Sequence, residues 1–262
     1  MRRINEDIER PLILYKYRGW GSFHKLLLNH LEAYIPSPID FNDPLYGHIP
    51  VRYDLLTYDD CFKMNYDVFS IFLKKRGVPE EEILRIVKEK TDSKEFAHPE
   101  TVKKEDVSIW NQKIGLYSLS EVPDNILMWS HYGENHTGFC LGLWSDVIEE
   151  SELFEYLEPV SYFEKYPIIG GLEDTNERFY KRFFSKSSLW SYEKEWRLTK
   201  NHIEKRKIRL PEESVAQIII GCRADREKEI EVQRIRDKKY PDAAVFKAKV
   251  NEAEFKIDLE LL

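Results

Sequence analysis

Apolar and polar positions alternate early in the chain. In Leu12–Arg18, LILYKYR, Tyr15 and Tyr17 interleave with Lys16 and Arg18, and this period of two predicts a strand. Phe23, Leu27 and Leu31 then recur on one side of a predicted helix over Phe23–Leu31, and Ala33–Pro36 reads as a short extended piece. SPIDFNDPLYG follows as a loop. Pro38 and Pro44 break regular structure there, and Asp40, Asn42 and Asp43 suit local side-chain turns.

Between Tyr53 and Trp110 the composition changes. Asp67–Lys75 reads as a helix, and a second helix starts sharply at Pro79, with Glu80, Glu81 and Glu82 at the positive end of its dipole. Ile83, Ile86 and Val87 form its apolar stripe. Residues 53–110 are therefore expected to be a helical insertion within one domain spanning 1–262.

The stretch Gly115–Leu143, GLYSLSEVPDNILMWSHYGENHTGFCLGL, predicts strand, turn, short aromatic helix, turn and strand. Further on, Pro159–Phe163 and Glu195–Thr199 read as strands, and Asn176–Phe184 as a helix with Phe179 and Phe183 on one face. Ile208–Leu210, Ala216–Gly221, Ala244–Ala248 and Phe255–Asp258 complete the β content; Glu227–Tyr240 is a polar helix anchored by Ile230 and Ile235. Strand-rich sequence after a helical middle predicts an α+β fold, a central mostly antiparallel sheet with flanking helices.

Composition changes this picture little. The 262 residues are 42% hydrophobic and 33% charged, as in ordinary globular proteins, and either one domain or two can bury a core at this length. A net charge of −7 gives no global pull toward nucleic acid or anionic membrane. The basic run YKRFFSK, Tyr180–Lys186, reads as a solvated helix face. Cys61, Cys140 and Cys222 are odd in number and lack metal spacing; with no signal peptide and no long apolar run, a cytoplasmic protein is expected. Cys140 sits in an apolar strand pattern, as a small buried hydrophobe does.

Candidate chemistry lies in two stretches. Strand alternation puts Glu193, Glu195 and Arg197 of WSYEKEWRL on one face, with Trp196 and Leu198 turned into the core. Two carboxylates beside one arginine split their proton affinities, which suits acid–base work or stabilisation of a developing cation; a structural ion pair is the plainer reading. In LYSLS, Ser118 and Ser120 share a face, without the G-x-S-x-G elbow of a hydrolase. Trp129, His131 and Tyr132 offer an aromatic wall for a flat ring, or a plug for the sheet. His131 and His136 have no matching partners, and neither a zinc motif nor a phosphate-cradling glycine loop is present, so no metal is expected.

Taken together, LYKYR, FNDP, LYSLS, MWSHYG, GFCLG, WSYEKEWR and IIIG resemble a bacterial family catalogued as domain of unknown function 2971, from Leu14 to Gly221. That resemblance carries no activity. A weaker one, to ADP-ribosyltransferases of the arginine–serine–glutamate type, rests on Arg18, on Tyr117-Ser118-Leu119-Ser120 and on Glu193-Lys194-Glu195 in chain order; Leu119 stands where that family has threonine. It implies NAD as co-substrate, its phosphates on Arg18 and its nicotinamide beside Ser118 and Ser120, stacked on Trp129 or Tyr132. Glu195 would steady the ribose oxocarbenium and Glu193 prepare the acceptor. A fixed carboxylate in a drier pocket stabilises such a cation better than water does.

Three functions are thus carried forward. The first is an NAD-consuming ADP-ribosyltransferase-like enzyme, a toxin or defence effector acting on a macromolecular acceptor, with cofactor contacts from Arg18, Ser118, Ser120, Trp129, His131, Tyr132 and Arg197. The second is a non-catalytic module binding a nucleotide or other small ligand in an aromatic pocket. The third, least favoured, is a hydrolase holding a divalent ion with Glu193, Glu195 and Asp43. No membrane partner is expected.

Overall fold

The computed structural model describes residues 8–45, 47–93 and 113–262. In chain order the elements are β1 (Ile13–Arg18), α1 (Ser22–His30), β2 (Glu32–Tyr34), β3 (Val51–Arg52), α2 (Tyr58–Lys74), α3 (Glu80–Asp92), β4 (Gly115–Ser120), α4 (Ile126–Tyr132) and β5 (Phe139–Trp144). They continue with α5 (Ser145–Glu150), β6 (Tyr156–Pro159), β7 (Ser161–Phe163), β8 (Ile169–Gly170), α6 (Thr175–Phe183), β9 (Ser185–Ser187) and β10 (Glu195–Lys200). Last come β11 (Lys207–Arg209), β12 (Val215–Ile220), α7 (Arg226–Lys239), β13 (Ala244–Val250) and β14 (Ile257–Leu261). The chain forms two compact units. The first runs to Phe41 and resumes over Lys113–Glu164 and Lys186–Leu262; the second begins at Asn42, ends short of Lys113 and returns over Lys165–Ser185.

The first unit is built on an eight-stranded sheet in the order β14–β13–β12–β5–β1–β4–β10–β6. Only β12 and β13 run parallel, joined through α7, so the fold is α+β with a mostly antiparallel sheet. Alternation along the strands sorts the side chains onto two faces. One face carries Leu14, Tyr117, Leu119, Leu141, Trp196, Leu198 and Ile218, covered by Leu27 and Leu28 of α1 and by Val232 and Ile235 of α7. The other carries Tyr15, Tyr17, Cys140 and Ile219, covered by Met128 and Trp129 of α4.

α4 is short, and its start is fixed by the Asn125 side chain, which accepts from the Leu127 and Met128 N–H groups. Trp129 at its centre is fully buried, edge-on to Tyr17 at 5.1 Å between ring centroids, with its indole N–H donating to the Pro123 carbonyl. It therefore plugs the sheet and is no wall for a ligand.

In the second unit α2 packs on α3, with buried Asn65 donating to Thr91 at 2.9 Å. α2 starts at Tyr58, well before the predicted Asp67, because Thr57 and Asp60 cap each other's backbone N–H reciprocally. Pro79 is the cap before α3 instead of its first residue. Both helices fall within the expected insertion, whose remainder past residue 93 lies outside the described residues.

Two strand readings and one helix reading are corrected. Pro159–Phe163 is two strands: the chain leaves the large sheet after β6, and β7 pairs with β9 instead. The last strand begins at Ile257, because Asn251 holds a turn by accepting from the Ala253 and Glu254 N–H groups, leaving Phe255 fully exposed. Ile230 is exposed, and Val232 with Ile235 anchors α7.

Replacing Trp129 by alanine is expected to destabilise the protein by about 3–5 kcal/mol, through lost burial and the cavity left behind. A denaturant midpoint at unchanged slope measures this; a loss below about 1 kcal/mol contradicts the plug.

Candidate functional site

On the face covered by α4, β10 sets Glu195 beside Arg197, and β4 sets Ser120 opposite Glu195 and Ser118 opposite Arg197. Glu193 reaches the same place from the 3₁₀ turn Ser188–Glu193, not from the strand. The chain turns at Lys194, a non-glycine residue in the left-handed region at φ 42°. Ser120 fastens that turn by donating to the Glu193 carbonyl at 2.6 Å. The Tyr162 hydroxyl accepts from the Glu195 N–H at 2.8 Å, closing the strand end.

The missing member is Lys186 on β9. Its ammonium bridges Glu193 Oε2 at 2.5 Å and Glu195 Oε2 at 3.0 Å. Arg197 grips Glu195 with two bonds, Nε to Oε1 at 2.7 Å and Nη2 to Oε2 at 2.9 Å. Tyr132, from α4, donates to Glu193 Oε1 at 2.8 Å. All four charged side chains are at most 4% exposed, so the two carboxylates and two cations form a closed ion cluster. The Tyr180–Lys186 run was expected to be solvated; its last residue is instead the cation that joins both acids.

The two acids are driven apart. Burial raises Glu193 above its ordinary range, and the neighbouring Glu195 charge adds to this against the pull of Lys186. Burial acts on Glu195 the same way, but Arg197 and Lys186 overcome it and hold that carboxylate ionised. Ser118 Oγ helps favour the Glu195 anion without a well-formed hydrogen bond. Every carboxylate oxygen of the pair already accepts a hydrogen bond, so a substrate reaching either acid competes with Lys186, Arg197 or Tyr132.

The remaining expected site residues separate. His131 is exposed, its Nδ1 within 3.0 Å of the Tyr192 hydroxyl and its ring 6.4 Å from Trp190. Arg18 follows Tyr17 on β1, in register with Phe139, and so projects from the opposite face of the sheet to Glu195. Arg18 and Glu195 do not share a pocket on one face. Residues 128–198 match the model of a family described as Protein of unknown function (DUF2971). Neither the curated proteins nor the solved structures gave a match. The matched stretch contains α4 from Met128 onward and the whole ion cluster, whereas β1 and β4 lie outside it.

On Arg18's own side stands an electrostatic anomaly. β1 and β4 pair in register only at Tyr15 with Ser120, and Lys16 bridges the seam beyond, donating to the Ser118 carbonyl at 2.5 Å. Its ammonium lies 4.4 Å from the centre of the Tyr117 ring. Burial pushes Lys16 well below the ordinary lysine range and Arg18 beside it pushes the same way, against the opposing pull of Glu195, Glu193 and Cys140 through the seam. Arg18's side chain donates to the Tyr17 carbonyl, and among the described residues neither cation forms an ion pair. The Tyr117 hydroxyl is buried without a hydrogen bond; burial pushes it up to about 12, with Arg18 pulling the other way. Lys16 was not among the expected site residues, although the alternation of LYKYR already sets Lys16 and Arg18 on one face, and Tyr117 entered only as part of the Tyr117–Ser120 element.

Asp43 belongs to the second unit, where its carboxylate accepts from the Leu45 N–H. Among the described residues no group of three or more His, Cys, Asp and Glu side chains is placed to hold a metal ion, and no helix is long and apolar enough to cross a membrane.

Glu193 gives a signed test. Its folded-state affinity for protons exceeds that of the unfolded chain, so wild-type protein loses stability as pH rises above about 4.5, the ordinary value, while Glu193→Gln does not titrate there. Thermal unfolding from pH 4.5 to 8 is expected to show the variant gaining on wild type as pH increases. A constant difference, or the reverse trend, contradicts the assignment.

Proposed function

We propose that this chain binds a small phosphate-bearing molecule, a nucleotide foremost, at the Lys16–Arg18 seam. The observation that carries the reading is the pair of neighbouring, largely buried cations with no carboxylate of their own. Buried charges are ordinarily paired, and an unpaired pair of like charge is strained until a counter-ion arrives. A phosphate group supplies one, accepting from the Arg18 fork and the Lys16 ammonium. The orphan Tyr117 hydroxyl is a further donor beside them. Because an anion favours protonated Lys16, affinity falls as pH rises.

Titration calorimetry with NAD, ADP and inorganic pyrophosphate tests this. Saturable binding of at least one is expected, weakened at least about tenfold, or 1.4 kcal/mol, in Arg18→Gln. No binding of any, or equal binding by the variant, removes the reading.

A second reading keeps the acid pair as chemistry, and the convergence of Ser118, Ser120, Tyr132, Glu193 and Glu195 on one face favours it. It is ADP-ribosyl transfer from NAD, by a cytoplasmic bacterial toxin or defence effector, to a macromolecular acceptor. Glu195 steadies the ribose cation and Glu193 prepares the acceptor, once substrate has drawn Lys186 or Arg197 away. Nicotinamide release from NAD, abolished by Glu195→Gln in protein checked for folding by near-ultraviolet circular dichroism, is the expected result. NAD binding without release leaves the binding module alone standing.

A further inference from the structure

A cleft of about 580 Å³ opens on the far side of α4 from the ion cluster. Its walls are the outer side of α4 at Ile126 and Ser130, the Asn135–His136 loop, the Cys222–Arg223 segment after β12, and the turn between β13 and β14. That volume lies in the range of small-molecule sites.

The inner wall is built stiffly. Glu134, Asn135 and His136 are three successive non-glycine residues in the left-handed region, at φ 49°, 51° and 71°. Such a run persists only when its surroundings hold it. Here the Arg223 N–H donates to the His136 carbonyl at 2.9 Å, the His136 N–H to the Trp129 carbonyl at 3.3 Å, and the Gly221 N–H to the Gly138 carbonyl at 2.9 Å. The approach is so close that a Cβ on Gly221 would collide with the His136 carbonyl.

Charge and polarity then narrow the occupant. The Arg223 guanidinium is exposed and, among the described residues, makes no hydrogen bond or ion pair. Burial lowers the His136 imidazole below its ordinary value, and the neighbouring Arg223 charge adds to this. Of the other charged residues around the cleft, Lys256 is engaged by Glu254 at 2.7 Å, and Glu252 stands exposed on the turn between β13 and β14. Ile126, Val250 and Phe255 present apolar surface, 38%, 69% and 104% exposed.

We propose that this cleft is a second ligand site, taking a small organic oxyanion whose charged head meets Arg223 and whose apolar body lies against Ile126, Val250 and Phe255. The head is a carboxylate or a phosphate monoester, since both match the planar guanidinium fork. The site is separate from the seam, so its occupancy does not depend on Arg18.

The test is nuclear magnetic resonance titration of the whole chain with benzoate and with phenyl phosphate. Saturable shifts at His136, Cys222 and Arg223 are expected with at least one probe. Binding is expected to weaken at least about tenfold in Arg223→Gln and to persist in Arg18→Gln. Benzoate alone, or phenyl phosphate alone, identifies the head group. No saturable shift at up to about 10 mM of either probe overturns the proposal. So does equal binding by Arg223→Gln, or shifts that vanish in Arg18→Gln.

Discussion

The arrangement of the first unit depends on one interaction, the grip of Arg197 on Glu195, shared through Lys186 with Glu193. Four charges leave water here, and removing water from ions carries a penalty that only close, fully hydrogen-bonded pairing offsets. The pairing is complete, with each carboxylate oxygen occupied by a donor. Its members come from β9, a 3₁₀ turn, β10 and α4, and Ser120 of β4 ties down the turn. A network with so many contributors leaves each element little freedom to shift alone, because any departure strands a charge in a dry place.

The sheet divides labour between its faces. On one, the ion cluster and the Trp129 plug are internally satisfied, which reads as structure with chemistry held in reserve. On the other, Lys16 and Arg18 lack counter-charges. The seam where β1 leaves β4 connects the two, since Glu193 and Glu195 act on Lys16 across it. The proposed anion site in the seam rests on this contrast between a neutral acid cluster and two cations without counter-charges.

Much of the architecture was legible in the sequence. Period-two alternation gave β1, β4 and β10, and the order of strands and helices gave the α+β class. The shared face of Glu195 and Arg197 followed from their spacing. What stayed hidden were relations between segments distant along the chain. A basic run such as YKRFFSK looks solvated, and nothing local says that Lys186 is buried between two acids. Alternation within LYKYR separates Arg18 from Tyr17, but which of them shares a face with Glu195 depends on the pairing of β1, β4 and β10, which the local pattern does not contain. The Thr57–Asp60 cap, by contrast, was readable: a threonine followed three residues later by an acid marks a helix start.

The grip of Arg197 on Glu195 is tested most directly by a double-mutant cycle, comparing Arg197→Met, Glu195→Gln and the pair in equilibrium denaturation at neutral pH. Each single change leaves a buried charge without its partner, and together they remove both. A coupling energy above about 1 kcal/mol, with the double variant far more stable than the sum of the single losses allows, is the expected result. Losses that add to within about 0.5 kcal/mol would contradict it.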